Sequence, residues 1–330
     1  MPAEWTPHDA VWTAWPHDPE QWLEGLEAPQ RALMAMVGAI WDGGRGERVE
    51  LLVRDGRDEI AASALLGPAV AGVRFRHGTY GDVWLRDTGP IFVARPGELA
   101  TVRFEFDGWG GKYIMPGDTE VASHVVGWTG VRGAKYDVVL EGGGIEVDGN
   151  GTLLTTRSCL LDGVRNPSLD QDAIEARLRW AFGVERIIWL ERGLQNDHTD
   201  GHVDTIARFV APGIVAAMEP AREDPNGDAL DSIIRDLKHA RLDVVTVPSP
   251  GTVEDAAGNL MPASYLNFYI ANTVVVVPTY GVEADDRAVE AIQALFPGRR
   301  AIGLPGKAVV VGGGAFHCCT QQQPAMVPRT

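Results

Sequence analysis

Five polar or glycine-rich clusters recur along this chain at similar intervals, and that recurrence limits the fold more than any other feature. They are Trp84-Leu85-Arg86-Asp87, Glu141-Gly142-Gly143-Gly144, Asp200-Gly201-His202-Val203-Asp204, Ser264-Tyr265-Leu266-Asn267 and Gly314-Ala315-Phe316-His317-Cys318. The steps are 54 residues from Asp87 to Glu141, 61 on to His202, 63 on to Tyr265 and 53 on to Cys318. After each of the first four clusters comes a short apolar run, a turn and a second run, which is a hairpin signal. The turns are Pro96-Gly97, Asp148 to Gly151, Pro212-Gly213 and Asn272. Helical patterns lie between the clusters. One is expected to open at Ser168 with Gln171 completing a capping box, and carries Ile174, Leu178 and Phe182 on one face. Another carries Leu230, Ile233, Ile234 and Leu237, and a third Val289, Ile292, Leu295 and Phe296; 118–126 is a weaker candidate. Each is followed by a run that reads as a buried strand: Val138 to Leu140, Ile187 to Leu190, Val244 to Val247 and Ala308 to Val311. A unit of helix, strand, cluster and hairpin cannot bury its own face, so such units pack around an axis or along a stack. A closed, five-bladed α/β ring with the clusters around one central pocket is the expected architecture. Accidental spacing in a generic α/β domain is the plain alternative. No linker or low-complexity stretch divides the chain, so residues 1–330 read as one catalytic domain.

Composition narrows the function classes. The chain is 45% hydrophobic and 22% charged, with a net charge of −16, the profile of a globular domain. The negative balance disfavours nucleic-acid binding, which calls for basic patches, and would attract a cationic substrate from a distance. Solubility alone is the simpler reading of that charge. No apolar run approaches the roughly 18 residues of a membrane span, and Met1 to Pro7 lack a signal peptide's basic and apolar regions. The cysteines are Cys159, Cys318 and Cys319. That is too few for a disulfide scaffold, and a reducing cytoplasm is the expected location.

The clusters contain reactive residue types. Cys318 follows three glycines and sits beside His317, a setting that suits a nucleophile because glycine lets backbone approach a ligand closely. Cys159, among leucines, reads as a buried structural thiol. Cys319 is the alternate nucleophile, although on an extended segment only one of the adjacent pair could face the site. If 200–204 is extended, Asp200, His202 and Asp204 share a face, an acid–imidazole–acid wall suited to proton transfer. With His198 the same residues could instead ligate a metal, although no second histidine cluster completes a shell. Asp87, next to Arg86, is by default half of a salt bridge. Together with Trp84, however, it could clamp a guanidinium through paired hydrogen bonds and the aromatic face. Trp109-Gly110-Gly111-Lys112-Tyr113 reads as a loop able to cover a pocket.

Taken together, these motifs resemble the agmatine deiminase and bacterial-type peptidylarginine deiminase family, within the guanidino-group modifying superfamily built on the five-bladed pentein fold. The resemblance runs over nearly the whole chain. It begins at Met1-Pro2-Ala3-Glu4-Trp5 and Trp12 to Pro16. It continues through Trp84 to Pro90, Leu140-Glu141-Gly142-Gly143, Thr199 to Asp204 and Ala263 to Tyr269, and ends with Gly312 to Gln322. It implies that Cys318 is the nucleophile, His202 the general acid/base, and Asp87 and Asp204 the guanidinium-binding carboxylates. Trp84 would be the stacking tryptophan; Trp109, Asp200, Asn267, Glu141 and Gly314 are the other candidates for binding substrate. The implied reaction attacks the guanidinium carbon with the Cys318 thiolate, releases ammonia, and resolves a covalent thiouronium with water. No metal or organic cofactor is implied. Agmatine is the expected substrate, giving N-carbamoylputrescine on the route to putrescine and the polyamines.

Several positions depart from the family's pattern: Ala315 and Phe316 before His317, Asp200 before the glycine–histidine pair, Ile206-Ala207-Arg208, Arg157 and Cys319. They leave the catalytic set whole but open the choice of substrate to arginine, peptidylarginine or another guanidino compound. Amidino transfer, a metallohydrolase, and a non-catalytic pentein such as a ribosome-binding anti-association factor are the rival readings. The expected partner is a small cationic guanidino substrate, with no nucleic acid and no membrane; a homodimer is kept open.

Overall fold

The computed structural model describes residues 1–22 and 24–326, and the last four residues of the expected 1–330 span lie outside them. Its strands form five small sheets, four of them built alike. Ile91–Arg95 pairs antiparallel with Glu98–Glu105, which pairs parallel with Gly133–Val139. The same plan holds for Glu146–Val147, Thr152–Thr156 and Arg186–Leu190. It holds again for Ala207–Ala211, Ile214–Glu219 and Asp243–Pro248, and for Tyr269–Ile270, Val274–Thr279 and Arg300–Pro305. The fifth sheet joins the two ends of the chain: Gln321–Pro324 lies antiparallel to His8–Ala14, which continues in parallel to Arg48–Val53 and Val73–His77. Backbone hydrogen bonds between the first and last strands therefore close the expected five-bladed α/β ring.

A parallel pair needs a long crossover, and helices supply it: Glu27–Trp41, Asp118–Thr129, Gln171–Phe182, Gly227–His239 and Asp285–Leu295. Their apolar stripes pack inward. Leu230, Ile233 and Leu237 are buried on one, and Ala288 and Ile292 on another. The hairpin turns fall where expected; Gly97 and Gly213, at φ 76 and 72, take the left-handed conformation that favours glycine.

Two expectations need correction. The cap of helix Gln171–Phe182 is Asp170, whose carboxylate accepts from Ala173 N, and not Ser168. A shorter lead-in with an ionised cap won over the Ser–Gln spacing. The apolar run Ala308 to Val311 is not a strand. Lys307–Val310 forms a helical turn with Val309 and Val310 buried, and the parallel strand is the less apolar Arg300–Pro305. That strand is an edge, only partly covered, so it lacks the continuous apolar signal of a buried strand.

Ring closure rests partly on Trp12. Its indole N–H donates to Gln323 Oε1 (3.1 Å), its ring stacks on Trp128 at 6.0 Å, and it is almost fully buried. Trp12→Ala is expected to cost about 3–5 kcal/mol in denaturant unfolding; a loss below about 1 kcal/mol would show that the closing sheet is held elsewhere.

Candidate active site

The clusters meet over a cavity of about 250 Å³ lined by Trp84, Asp87, Trp109, Tyr113, His198, Gly312 to Gly314 and Cys318, with Glu20, Gln21 and Asp82 among its other walls. A larger hollow of about 890 Å³, between residues 192–200 and 220–231, is lined by no cysteine or histidine among the described residues.

Asp87 lies in the short helix Leu85–Thr88, buried. Its Oδ1 accepts from Gly143 N (2.9 Å) and its Oδ2 from the Trp109 indole (3.0 Å). Arg86 turns the other way and pairs with Glu4 (3.0 Å), so the expected default of a salt bridge between neighbours does not hold. Trp84 stacks on Trp22 at 5.9 Å and donates to Asp82 Oδ2 (2.9 Å). Glycine is required in the 142–144 turn. A Cβ on Gly143 would lie 2.5 Å from His202 Nδ1, 3.0 Å from Asp87 Oδ1 and 3.2 Å from Asp204 Oδ2.

The segment 200–204 is not extended. Asp200 sits at φ 67, Gly201 at φ 100, and Val203–Thr205 is a single 3-10 turn. The turn still sends His202 and Asp204 into the site, fully buried, while Asp200 stays at the rim, paired with Lys112 (2.6 Å) and Arg165 (2.8 Å). His202 Nδ1 is 3.8 Å from Asp87 and Nε2 is 3.8 Å from Glu141, with no closer partner for either nitrogen among the described residues. Burial would lower its pKa, but the Asp87 carboxylate and its other neighbours outweigh that and raise it well above the ordinary imidazole value. That direction favours the imidazolium form, an acid with a proton to give.

Cys318 faces the cavity while Cys319 is wholly buried, as expected of the pair, although they lie in a turn and not a strand. Asn267 holds the Cys318 turn through both ends of its amide. Its amide donates to Sγ (3.1 Å), and its oxygen accepts from Ala315 N (3.1 Å) and Cys318 N (3.3 Å). Asp204 Oδ2 lies 3.5 Å from Sγ. Burial, then Asp204 and Asp87, push the Cys318 thiol well above its usual range. Burial raises Asp87 too, whereas for Asp204 the opposing pull of His317 wins and lowers it. Burial and the two acids therefore favour the neutral thiol, and a bound cation would shift that balance toward the thiolate.

Of the residues singled out in the sequence, Trp84, Asp87, Trp109, Gly314 and Cys318 line the cavity. His202, Asp204, Asn267 and Glu141 sit beneath it. Glu141 does not reach the open cavity; both its oxygens are held by Arg165 Nε (2.8 and 3.0 Å). The residues of the rival metal reading, His198, Asp200, His202 and Asp204, do not converge: His198 stacks on Tyr113 at 5.6 Å, and Asp200 is tied to Lys112. Among the described residues, Glu141, Cys159 and His202 approach one another closely enough to consider for a metal. Arg165 on both Glu141 oxygens speaks against a cation there. Cys159 is buried in an apolar cluster with Leu153 and Leu160, as expected, and also borders His202. Sequence reasoning missed Asp82, Arg165, Glu4 and His317. Arg165 is separated from the clusters; His317 was visible only as the neighbour of Cys318, and Glu4 only as part of a terminal motif.

The sequence profile of the Porphyromonas-type peptidyl-arginine deiminase family matches residues 1–324. The agmatine deiminase of Ectopseudomonas mendocina is 37% identical over 356 aligned residues, covering 98% of this chain and 95% of that one. Among solved structures, the agmatine deiminase of Enterococcus faecalis superposes with a TM-score of 0.90 at 34% identity, covering 99% of this chain and 96% of the other. The agmatine deiminase of C. jejuni with substrate bound gives 0.91 at 27% identity, with coverage of 99% and 96%. The DDAH of Pseudomonas aeruginosa, at 12% identity and a TM-score of 0.54, shares the fold.

Gly143→Ala is expected to displace His202, costing about 1–3 kcal/mol in stability and roughly a hundredfold in turnover. Denaturant unfolding and steady-state kinetics check this together. An alanine variant of wild-type rate would mean that the Asp87–His202–Asp204 convergence is not used.

Proposed function

This chain belongs to the Porphyromonas-type peptidyl-arginine deiminase family, and we propose that it hydrolyses the guanidinium group of a small guanidino compound, agmatine first, to a ureido product and ammonia. The observation that carries this reading is Cys318, His202, Asp87 and Asp204 meeting at one cavity that no lysine or arginine lines among the described residues. Free arginine would bring a carboxylate with nothing there to pair it, whereas the amine-ended tail of agmatine meets a wall containing Glu20 and Asp82. The relatives that carry the name agmatine deiminase support the same choice.

The chemistry follows from the charges. A guanidinium between Asp87 and Asp204 forms paired, charge-assisted hydrogen bonds that fix its plane. Its positive charge offsets the two carboxylates that hold the Cys318 thiol protonated, and the thiol releases its proton to solvent once the cation is bound. The thiolate attacks the guanidinium carbon. The resulting tetrahedral adduct expels one nitrogen, which leaves as ammonia with the proton from His202. A covalent thiouronium remains on Cys318. Water then adds to the same carbon as neutral His202 takes its proton; the second adduct collapses to the ureido carbonyl, its hydroxyl proton passing to the departing sulfur to restore the thiol, while the ammonia takes up the proton the thiol released at binding. The net reaction consumes one substrate cation and one water and yields the ureido compound and ammonium. No helix among the described residues is long and apolar enough to cross a membrane. A cytoplasmic setting and a substrate taken up as a free small cation accompany this reading.

A panel of agmatine, arginine, arginine peptides and simple guanidines, scored for ureido product and ammonia, tests it. Agmatine is expected to turn over best, and Cys318→Ala to lose on the order of 10⁴-fold or more, with Cys319→Ala active. Activity surviving in Cys318→Ala would remove the assignment. Transfer to an added amine in preference to water would replace hydrolysis with amidino transfer.

Asp82 adds a pH signature. Burial, with Asp118 nearby, pushes its carboxyl up to about 7. Below that pH it is neutral, and above it the cavity wall gains a negative charge. The KM for a cationic substrate is expected to fall as pH rises through about 7, and Asp82→Asn to flatten that limb. An unchanged pH dependence in Asp82→Asn would exclude Asp82 as its source.

A further inference from the structure

Glu4 and His317 have no role in the chemistry above, yet they connect directly to it. Glu4 is buried at the centre of the ring. Its Oε1 accepts from Arg208 (2.9 Å) and Ile270 N (2.8 Å), and its Oε2 pairs with Arg86 (3.0 Å) and His317 Nε2 (2.8 Å). The other ring nitrogen of His317, Nδ1, lies 2.7 Å from Asp204 Oδ2. That is the oxygen 3.5 Å from Cys318 Sγ, while Asp204 Oδ1 has no partner among the described residues.

We propose that His317 and Glu4 are positioning residues of the reaction: the imidazole, wedged between two carboxylates, fixes Asp204 with one oxygen turned to the guanidinium, and brings positive charge beside the nucleophile. This rests on the deiminase reading above. Both neighbours of the ring are acceptors, so it can donate to both only with a hydrogen on each nitrogen. Charge balance points the same way. The buried groups packed around the ring are the carboxylates Glu4, Asp204 and Glu146 and the guanidiniums of Arg86 and Arg208. Three negative and two positive charges leave a formal −1, which one imidazolium cancels, and an uncompensated buried charge is costly. The charged and titratable groups facing Cys318 are Asp204, Asp87, Cys319 and, further off, Tyr280. None of these is a cation; of the two imidazoles next to the carboxylates, His202 lies 3.8 Å from Asp87, whereas His317 is 2.7 Å from Asp204 Oδ2, the oxygen 3.5 Å from Sγ, so His317 is the group that opposes Asp204 directly before substrate arrives. Glu4 acts through His317 and the two arginines; it touches neither Cys318 nor the cavity.

The test uses full-length protein carrying Cys319→Ala, so that no second thiol adjoins Cys318, and alkylation at Cys318 is read by peptide mass spectrometry separately from Cys159. His317→Gln and Glu4→Asp are compared with this parent. Iodoacetamide alkylation of Cys318 is followed against pH without ligand, alongside kcat, KM and thermal melting. For His317→Gln the alkylation profile is expected to move to higher pH, because the opposing positive charge is gone. Its kcat/KM should fall by roughly tenfold or more, with the protein still folded at the assay temperature. Should His317→Gln not fold, Glu4→Asp carries the test. It keeps the charge balance, but its shorter chain withdraws from the ring, and a smaller change in the same direction is expected. A lower melting temperature with unchanged alkylation profile and unchanged kcat/KM would make the pair purely structural and overturn the proposal. Because alkylation needs no substrate, a shifted profile in a protein that turns over no guanidino compound would sink the deiminase reading and leave the positioning role standing.

Discussion

A single buried carboxylate, Glu4, ties the ring together at its centre. It receives hydrogen bonds from Arg86 and Arg208, from Ile270 N and from His317, which come from four segments far apart in sequence. Burying ions is costly unless each finds partners of good geometry. Here the partners are shared: Arg208 also binds Glu146 and the carbonyls of Leu266 and Phe268, and Arg86 reaches Gln322. Every blade contributing to the axis therefore depends on others for its charge balance. The active site stands on top of this network, with His317 as the link from Glu4 to Asp204.

Above it the site is left incomplete on purpose of chemistry. Asp87 and Asp204 are buried with only part of their hydrogen-bonding capacity used, His202 lacks a close partner, and the Cys318 thiol is pushed up by its surroundings. Strained electrostatics of this kind cluster at functional sites. A planar cation with N–H groups on its edges supplies what is missing: it pairs the carboxylates, lowers the thiol's proton affinity, and places its carbon near sulfur. The same features explain selectivity. A neutral or anionic ligand would leave the two buried acids unpaired, whereas a guanidinium relieves them.

Much of this was legible in the sequence, and the limits have physical causes. Recurrence of glycine-rich or acidic clusters beside apolar runs was enough to place five blades, because each hairpin-and-crossover unit needs neighbours to bury its faces. Cys318, His202, Asp87 and Asp204 could be picked out because each sits in such a cluster. The route to the right pairing at 200–204 was wrong in detail. An alternating strand was expected, and a left-handed turn at Asp200 and Gly201 delivers His202 and Asp204 instead. Asn267 and Glu141 were taken for substrate-binding residues, but neither lines the cavity: Asn267 hydrogen-bonds Cys318 and Glu141 is held by Arg165. Arg165 and Glu4 act over long sequence separations, and no local pattern announces a charge whose partner lies more than two hundred residues away, as for Glu4 with Arg208. The strand misread at Ala308 to Val311 shows the converse: a short apolar run is buried as readily in a helical turn as in a sheet.

The central claim is a covalent bond between Cys318 and the substrate's guanidinium carbon. Rapid acid quenching of the enzyme during turnover of agmatine, followed by mass spectrometry of its peptides, tests it most directly. The account predicts an adduct with the mass of substrate less ammonia on the peptide containing Cys318, localised by fragmentation to that residue and absent from Cys318→Ala. Steady turnover with no adduct at any quench time, or an adduct localised to Cys319 or Cys159, would contradict it.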